Sequence, residues 1–246
     1  VHRQENMGLT RSLNKGLRMA RGRYVARMDA DDMSLPGRLE AQVGEMDGND
    51  RLDMVGTFFD VVDGEGKLIE RKELIVDPIY RLWRLQFHNN YGHGSMMLRR
   101  SAILDAGGYD EGLRYTQDYE LWSRLSRKDN TSIIPTVYYQ YRMIEQSAQS
   151  SVKNYYTQLE NAIRISNGSL KKCRPSFADS DCEEVRALYW RFQRDCPSRR
   201  GLMAVPETLD GFCRRYGIEG RERAALVQRV ADDTLEEGVR FEILAE

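Results

Sequence analysis

No stretch of this 246-residue chain is apolar over the ~20 residues that a bilayer-crossing helix needs. Nor is there an excess of either charge, since 37 basic residues face 38 acidic ones for a net charge of −1. A phosphate backbone selects for a basic excess, so no nucleic-acid partner is expected. Cysteine is scarce. Cys173, Cys182, Cys196 and Cys213 all fall in the last third, and none shows the CxxC spacing of a zinc site. With no leader visible, they read as reduced, partly buried thiols. Internal repeats and low-complexity tracts are absent as well. The chain opens on Val1 rather than methionine and runs almost at once into a helix, so its start is expected to lie inside a domain.

What is present alternates between two periods. Leu9, Leu13, Leu17 and Ala20 recur on one helical face, with Gly22 placed to end the helix. Tyr24–Met28 is a short apolar run bounded by Gly22, Ser34 and Pro36, which predicts a strand. Ser34 and Pro36 open a second helix whose inner side is expected to carry Leu39, Val43 and Met46. Met54–Val62 and Lys67–Ile75 flank a turn at Asp63, Gly64 and Gly66 and predict a hairpin. Further elements follow: a helix over Asp77–Phe87, a strand over Ser95–Leu98, a helix over Ser101–Ala106, a helix after Asp118 and a strand over Ile133–Tyr141. This is α/β patterning over residues 1–151. Residues 152–246 show only helical spacing (Tyr156, Leu159, Ile163; Val185, Leu188, Tyr189, Phe192; Leu226, Val230) with no chemical motif, and read as a helical region.

Asp29-Ala30-Asp31-Asp32 closes the first strand with three acids in four residues. Clustered carboxylates repel, and they rest together when a cation neutralises them. An all-oxygen set suits Mg²⁺ or Mn²⁺, which keep positions open for water and substrate phosphates. A solvated turn, with Asp32 or Ser34 capping the next helix, is the plain alternative. An EF-hand calcium loop is excluded, because Met33 and Ser34 stand where a ligand and the glycine belong and Pro36 interrupts.

Several stretches, taken together and in order, resemble the family 2 glycosyltransferases of the GT-A fold. They are Asn6–Leu17, Ala20–Asp32, Pro36–Val43 (PGRLEAQV), His93–Arg100 (HGSMMLRR), Gly107–Asp110 and Thr116–Trp122. The resemblance covers roughly residues 3 to 151. It implies a mixed sheet flanked by helices, lacking the family's first strands, and an enzyme of glycan or polysaccharide biosynthesis that transfers a sugar from a nucleotide diphosphate sugar to an acceptor hydroxyl with inversion. Residue by residue, Arg27, Asp29 and Asp31 would hold the donor, with Asp31 and Asp29 as metal ligands and Asp32 in a supporting or capping contact. Asp118 would be the base. The preceding position is Gln117 where the family usually has Glu. His93, Ser95, Gln117 and Trp122 would lie on the acceptor side, although Trp122 suits core packing equally and Arg99 and Arg100 suit a solvated pair.

The resemblance also implies a saccharide or lipid-linked saccharide acceptor. A cytoplasmic location at the inner face of a membrane would fit that acceptor, with at most peripheral association. Two departures from the family pattern stand out. The elements that would hold the nucleotide base are missing, so the chain alone is expected to bind donor poorly and to be weakly active or inactive. Ile144 also occupies the place of a histidine expected to support the metal or diphosphate. Two rival functions remain open: a non-catalytic domain that binds glycan or a partner, and a sugar nucleotidyltransferase that releases pyrophosphate.

Overall fold

The computed structural model describes residues 2–143, 153–189 and 199–236. Ile144, Cys196 and the boundary near residue 151 lie outside the described residues. Two compact units emerge, one from residues 1–78 and 89–163, the other from residues 79–88 and 164–246.

The first unit is built on a six-stranded sheet. Its strands are β1 (Tyr24–Ala26), β2 (Met33–Ser34), β3 (Met54–Val62), β4 (Leu68–Lys72), β5 (Met97–Arg99) and β6 (Thr131–Arg142). The order is β1-β5-β3-β6-β2, with β4 pairing the far part of β3. β3 and β6 run parallel and every other pair is antiparallel, so the sheet is mixed. β3 is central and buried along most of its length, which is why it reads as a continuous apolar run rather than an alternating one. The β3–β6 ladder jumps from Thr57↔Ile134 to Phe58↔Val137. Pro135 sits in that jump. It has no N–H to donate, so the ladder breaks there and β6 bulges.

Around the sheet lie α1 (Leu9–Met19), α2 (Arg38–Gly48), α4 (Arg100–Asp105) and α5 (Gln117–Leu125), whereas α3 (Pro78–Arg84) falls in the second unit apart from Pro78. Met46, Leu52, Val55 and Met97 form a core cluster flanked by Tyr24, Val43 and Ile134. Two helix faces differ from expectation. On α1 the buried residues are Thr10, Asn14 and Leu17, while Leu9 is exposed. Thr10 Oγ1 donates to the Leu113 carbonyl (2.9 Å), and Asn14 exchanges bonds with both the carbonyl and the amide of Tyr109 (2.9 and 2.8 Å). An irregular loop needs backbone partners, and a polar helix face supplies them. On α2 the buried face is Arg38, Gln42 and Met46, with Leu39 55% exposed. The helix begins after Gly37, whose φ of 82° suits glycine.

The second unit is helical, with α6 (Tyr155–Cys173) entering it, then α7 (Asp179–Ala187), α8 (Arg199–Tyr216) and α9 (Gly220–Glu236). Residues 79–88 belong to it because their aromatics fill its core. Trp83 is fully buried, packs edge-on to Phe87 (4.9 Å) and Phe212 (5.2 Å), and donates Nε1–H to Tyr189 Oη (3.2 Å). Phe87 stacks on Tyr189 at 4.1 Å. No helix among the described residues is long and apolar enough to cross a membrane.

Candidate functional site

Strand β1 ends at Ala26, and the Arg27 amide stays tied to the Met96 carbonyl (3.1 Å). The acid turn follows, closed by the Asp32 amide donating to the Asp29 carbonyl (3.3 Å). The three acids have separate fates. Asp32 is buried, where its carboxylate accepts from the Tyr139 hydroxyl and from the Arg142 amide (2.9 Å). Asp29 is half-buried and ion-paired with Arg27. Burial pushes its carboxyl above the usual value, Arg27 opposes the shift, and Asp32 and Asp31 add to it. Asp31 is exposed, and no bond to its carboxylate is seen among the described residues.

Beside the turn opens a cleft of about 270 Å³, lined by Arg27, Asp29, Phe59, His93, Ser95 and Tyr139 among others. Its wall needs two glycines. A Cβ on Gly92 would sit 2.5 Å from a Phe59 ring carbon, and one on Gly94 would sit 2.2 Å from Tyr139 Oη. The Gly-His-Gly-Ser stretch therefore lets backbone lie directly against two aromatic side chains. Ser95 is buried, with Oγ donating to the Gly92 carbonyl (3.0 Å). His93 Nε2 lies 2.9 Å from Tyr109 Oη. Burial, and secondarily Arg27, hold its imidazole well below the usual value, so it is neutral at pH 7. Trp122 is 0% exposed and packs against Tyr91 and His93, so of its two readings the structure has core packing: the ring offers no open face to an acceptor. Gln117 is also buried.

Asp118 sits in the first turn of α5, where the cap position is Thr116. It is thus a first-turn acid and not the cap residue. Thr116 has φ of 61°, the one positive value on a non-glycine among the described residues. A β-branched residue there is strained, and such strain gathers where a neighbour must be aimed. The Asp118 carboxylate accepts from Asn89 Nδ2 (2.7 Å). Burial raises its pKa, opposed by the amides of Tyr119 and Asp118, by Asn89 and by Arg27.

Arg27 is the common element. It is buried, pairs with Asp29, and lies within electrostatic reach of His93, Tyr109 and Asp118. Its Nε is buried with no hydrogen-bond partner. Two residues the sequence pattern misplaced support this floor. Arg38 Nη2 donates to the carbonyls of Arg27 (3.0 Å), Gly94 (2.8 Å) and Met96 (3.3 Å). Gln42 Nε2 donates to those of Val55 (2.8 Å) and Ser95 (2.9 Å). Both lie within Pro36–Val43, where apolar periodicity points to Leu39, Val43 and Met46 and says nothing of an arginine and a glutamine four residues apart. Asn89 and Tyr139 carry no local chemical signal, and Tyr109 stands in the Gly107–Asp110 stretch without a role of its own. Arg99 and Arg100 bond the carbonyls of Leu52 (2.9 Å) and Leu17 (3.2 Å) through Nε.

No group of three or more His, Cys, Asp or Glu among the described residues converges to enclose a metal. The donor set is instead one open carboxylate, Asp31, beside a half-buried one, Asp29. That fits a hard cation held by one or two carboxylates, with the substrate's phosphate oxygens completing the shell.

The family model described as "Glycosyl transferase family 2" matches residues 1–107. An uncharacterized glycosyltransferase of Methanocaldococcus jannaschii is 30% identical over 64% of this chain and 57% of its own length. The O-antigen biosynthesis glycosyltransferase WbnJ of Escherichia coli is 34% identical over 63% of this chain and 61% of its own. The match to the amylovoran biosynthesis glycosyltransferase AmsE of Erwinia amylovora, 33% identical, covers 50% of this chain and 45% of that one. This chain thus spans about half to three fifths of the length of these curated relatives. The crystal structure of S. aureus TarS 1-349 in complex with UDP shares the fold, with a TM-score of 0.50 at 14% identity over 96% of this chain and 74% of that one.

Proposed function

We propose that the chain is a family 2 glycosyltransferase of the GT-A fold, and that it transfers a sugar from a nucleotide diphosphate sugar to an acceptor hydroxyl, with inversion, in the assembly of a glycan or polysaccharide. The acceptor is a saccharide or lipid-linked saccharide. The observation that carries this reading is Arg27, a buried cation paired with Asp29 and within electrostatic reach of Asp118. A fixed cation beside Asp29 on the cleft floor can meet the negative charge of a departing diphosphate.

Asp31 and Asp29 would hold Mn²⁺ or Mg²⁺, which when bound supplies positive charge to the departing nucleoside diphosphate. Arg27 contributes a second, fixed positive charge on the cleft floor. Asp118 takes the proton of the acceptor hydroxyl, whose oxygen forms the new bond to the anomeric carbon as the bond to diphosphate breaks. A single base opposite the leaving group gives inversion. The raised Asp118 pKa makes its carboxylate a stronger base, and Asn89 holds one of its oxygens in place. Neutral His93 and Tyr109 offer hydrogen bonds without competing for the diphosphate.

The test is to incubate the protein with UDP-, GDP- and dTDP-linked sugars, Mn²⁺ and candidate acceptors. Release of nucleoside diphosphate is expected. Release of pyrophosphate would instead indicate a nucleotidyltransferase. Asp118→Asn should lower transfer about 10²- to 10⁴-fold, the contribution of a positioned base, with nucleotide binding retained. Transfer at the original rate by this variant overturns the base assignment.

A further inference from the structure

We infer that Tyr139 is the positioning residue of the acid turn, and that Gly94 exists to let it reach. Tyr139 lies on β6, far along the chain from Asp29–Asp32, and is almost fully buried. Its hydroxyl serves the turn twice. It donates to the Asp32 carboxylate and accepts the Asp29 amide (3.3 Å). Its ring lies under the Arg38 guanidinium, 4.8 Å from carbon to centroid. Arg38 in turn bonds the Arg27 and Gly94 carbonyls, at 3.0 and 2.8 Å, on either side of the cleft floor. One phenol thus joins the first and last acids of the turn, and one guanidinium fixes the phenol. Neighbouring residues secure the register: Met33↔Gln140 and Ser34↔Tyr139 pair β2 with β6, and the Arg142 amide holds the other Asp32 oxygen (2.9 Å).

The space for this hydroxyl exists only because residue 94 has no side chain. A Cβ there would stand 2.2 Å from Oη and 2.5 Å from Cζ of Tyr139. Real Cβ atoms do not approach so closely, so any substitution at Gly94 drives the phenol off the acid turn. Asp29 and Asp31 are the carboxylates that the proposed donor site uses, and carboxylate ligands tolerate little misplacement. The consequence for donor binding rests on the proposed function, whereas the consequence for the turn itself does not.

Two readouts separate these. Amide hydrogen exchange of the segment covering residues 27–33 measures how firmly the turn is held. Tyr139→Phe keeps the ring and its contact with Arg38 and removes only the hydroxyl. Exchange in that segment is expected to quicken at least tenfold, while protection in β3 and α5 stays unchanged. Gly94→Ala should do the same, and the double variant should be no worse than Gly94→Ala alone, since both changes break one contact. Unchanged exchange in Tyr139→Phe, or additive effects in the double variant, overturns the inference. The second readout is binding of UDP or GDP with Mn²⁺, expected to weaken at least tenfold in Tyr139→Phe. If the unsubstituted protein binds neither nucleotide, the donor reading fails, and hydrogen exchange still decides the role of Tyr139.

Discussion

Arg38→Met removes a buried cation while keeping much of its length and apolar stem. In the native structure Arg38 is 1% exposed, with Nη2 bonded to three backbone carbonyls and Nε bonded to Gln42 Oε1 (3.0 Å). Of these acceptors, the Met96 carbonyl keeps a second donor, the Arg27 amide (3.1 Å). Loss of the guanidinium therefore strips its donor from the Arg27 carbonyl, the Gly94 carbonyl and Gln42 Oε1 in a region closed to water. Each stranded acceptor costs about 1–3 kcal/mol. The desolvation of the cation is recovered, and its contact with the Tyr139 ring is lost. The net is about 3–5 kcal/mol, a fifth or more of the ~5–15 kcal/mol that holds a typical domain. Urea denaturation followed by circular dichroism reads this as a lower midpoint at a similar slope. Leu39→Ala on the same helix is the control. Its side chain is 55% exposed, so the cost should stay within about 0.5 kcal/mol. An Arg38→Met cost below about 1 kcal/mol, or a larger cost for Leu39→Ala, would refute the assignment of this buried face.

Asp118→Asn should gain stability at neutral pH even as it loses activity. The folded carboxyl has a raised pKa, burial being the main cause. The native state therefore holds its proton longer than the unfolded chain, and stability falls as pH rises from the unfolded value of about 3.9 through the folded one. The amide escapes that loss, so its advantage in melting temperature should vanish near pH 3.5, and an equal advantage at pH 3.5 and 7 contradicts this account. Asp31→Ala should weaken Mn²⁺-dependent UDP or GDP binding about tenfold or more, roughly 1.4 kcal/mol, without lowering the melting temperature, because an exposed acid beside Asp29 and Asp32 is lost; calorimetry showing unchanged affinity removes Asp31 from the ligand set. In the helical unit, Trp83→Ala should cost about 3–5 kcal/mol, since it empties a packed aromatic site and strips Tyr189 Oη of a donor, and a shift in melting temperature of less than a few degrees would be inconsistent with that packing.

Local sequence determined the elements and their kinds. Periodicity placed β1, β3, the β3–β4 hairpin, α1 and the long helices, because burial of an apolar face is a short-range pattern. Asp63 anchors the hairpin turn, accepting from the amides of Glu65 (3.0 Å) and Lys67 (2.9 Å), and Gly66 takes a φ of 88°. The acid run and the Asp118 neighbourhood were legible as chemistry because few structural demands place carboxylates together. What tertiary structure decided was which polar residues face inward. Leu39 yielded its place to Arg38 because the sheet's irregular end leaves carbonyls that a leucine cannot satisfy and a guanidinium can. The turn's three acids look alike in sequence. They become a structural anchor, an ion-paired residue and an open carboxylate only because Tyr139 and Arg142, more than a hundred residues away, reach Asp32 alone by its carboxylate. Composition and spacing can announce charge, but only the fold says which charge is already satisfied and which is left free to meet a substrate.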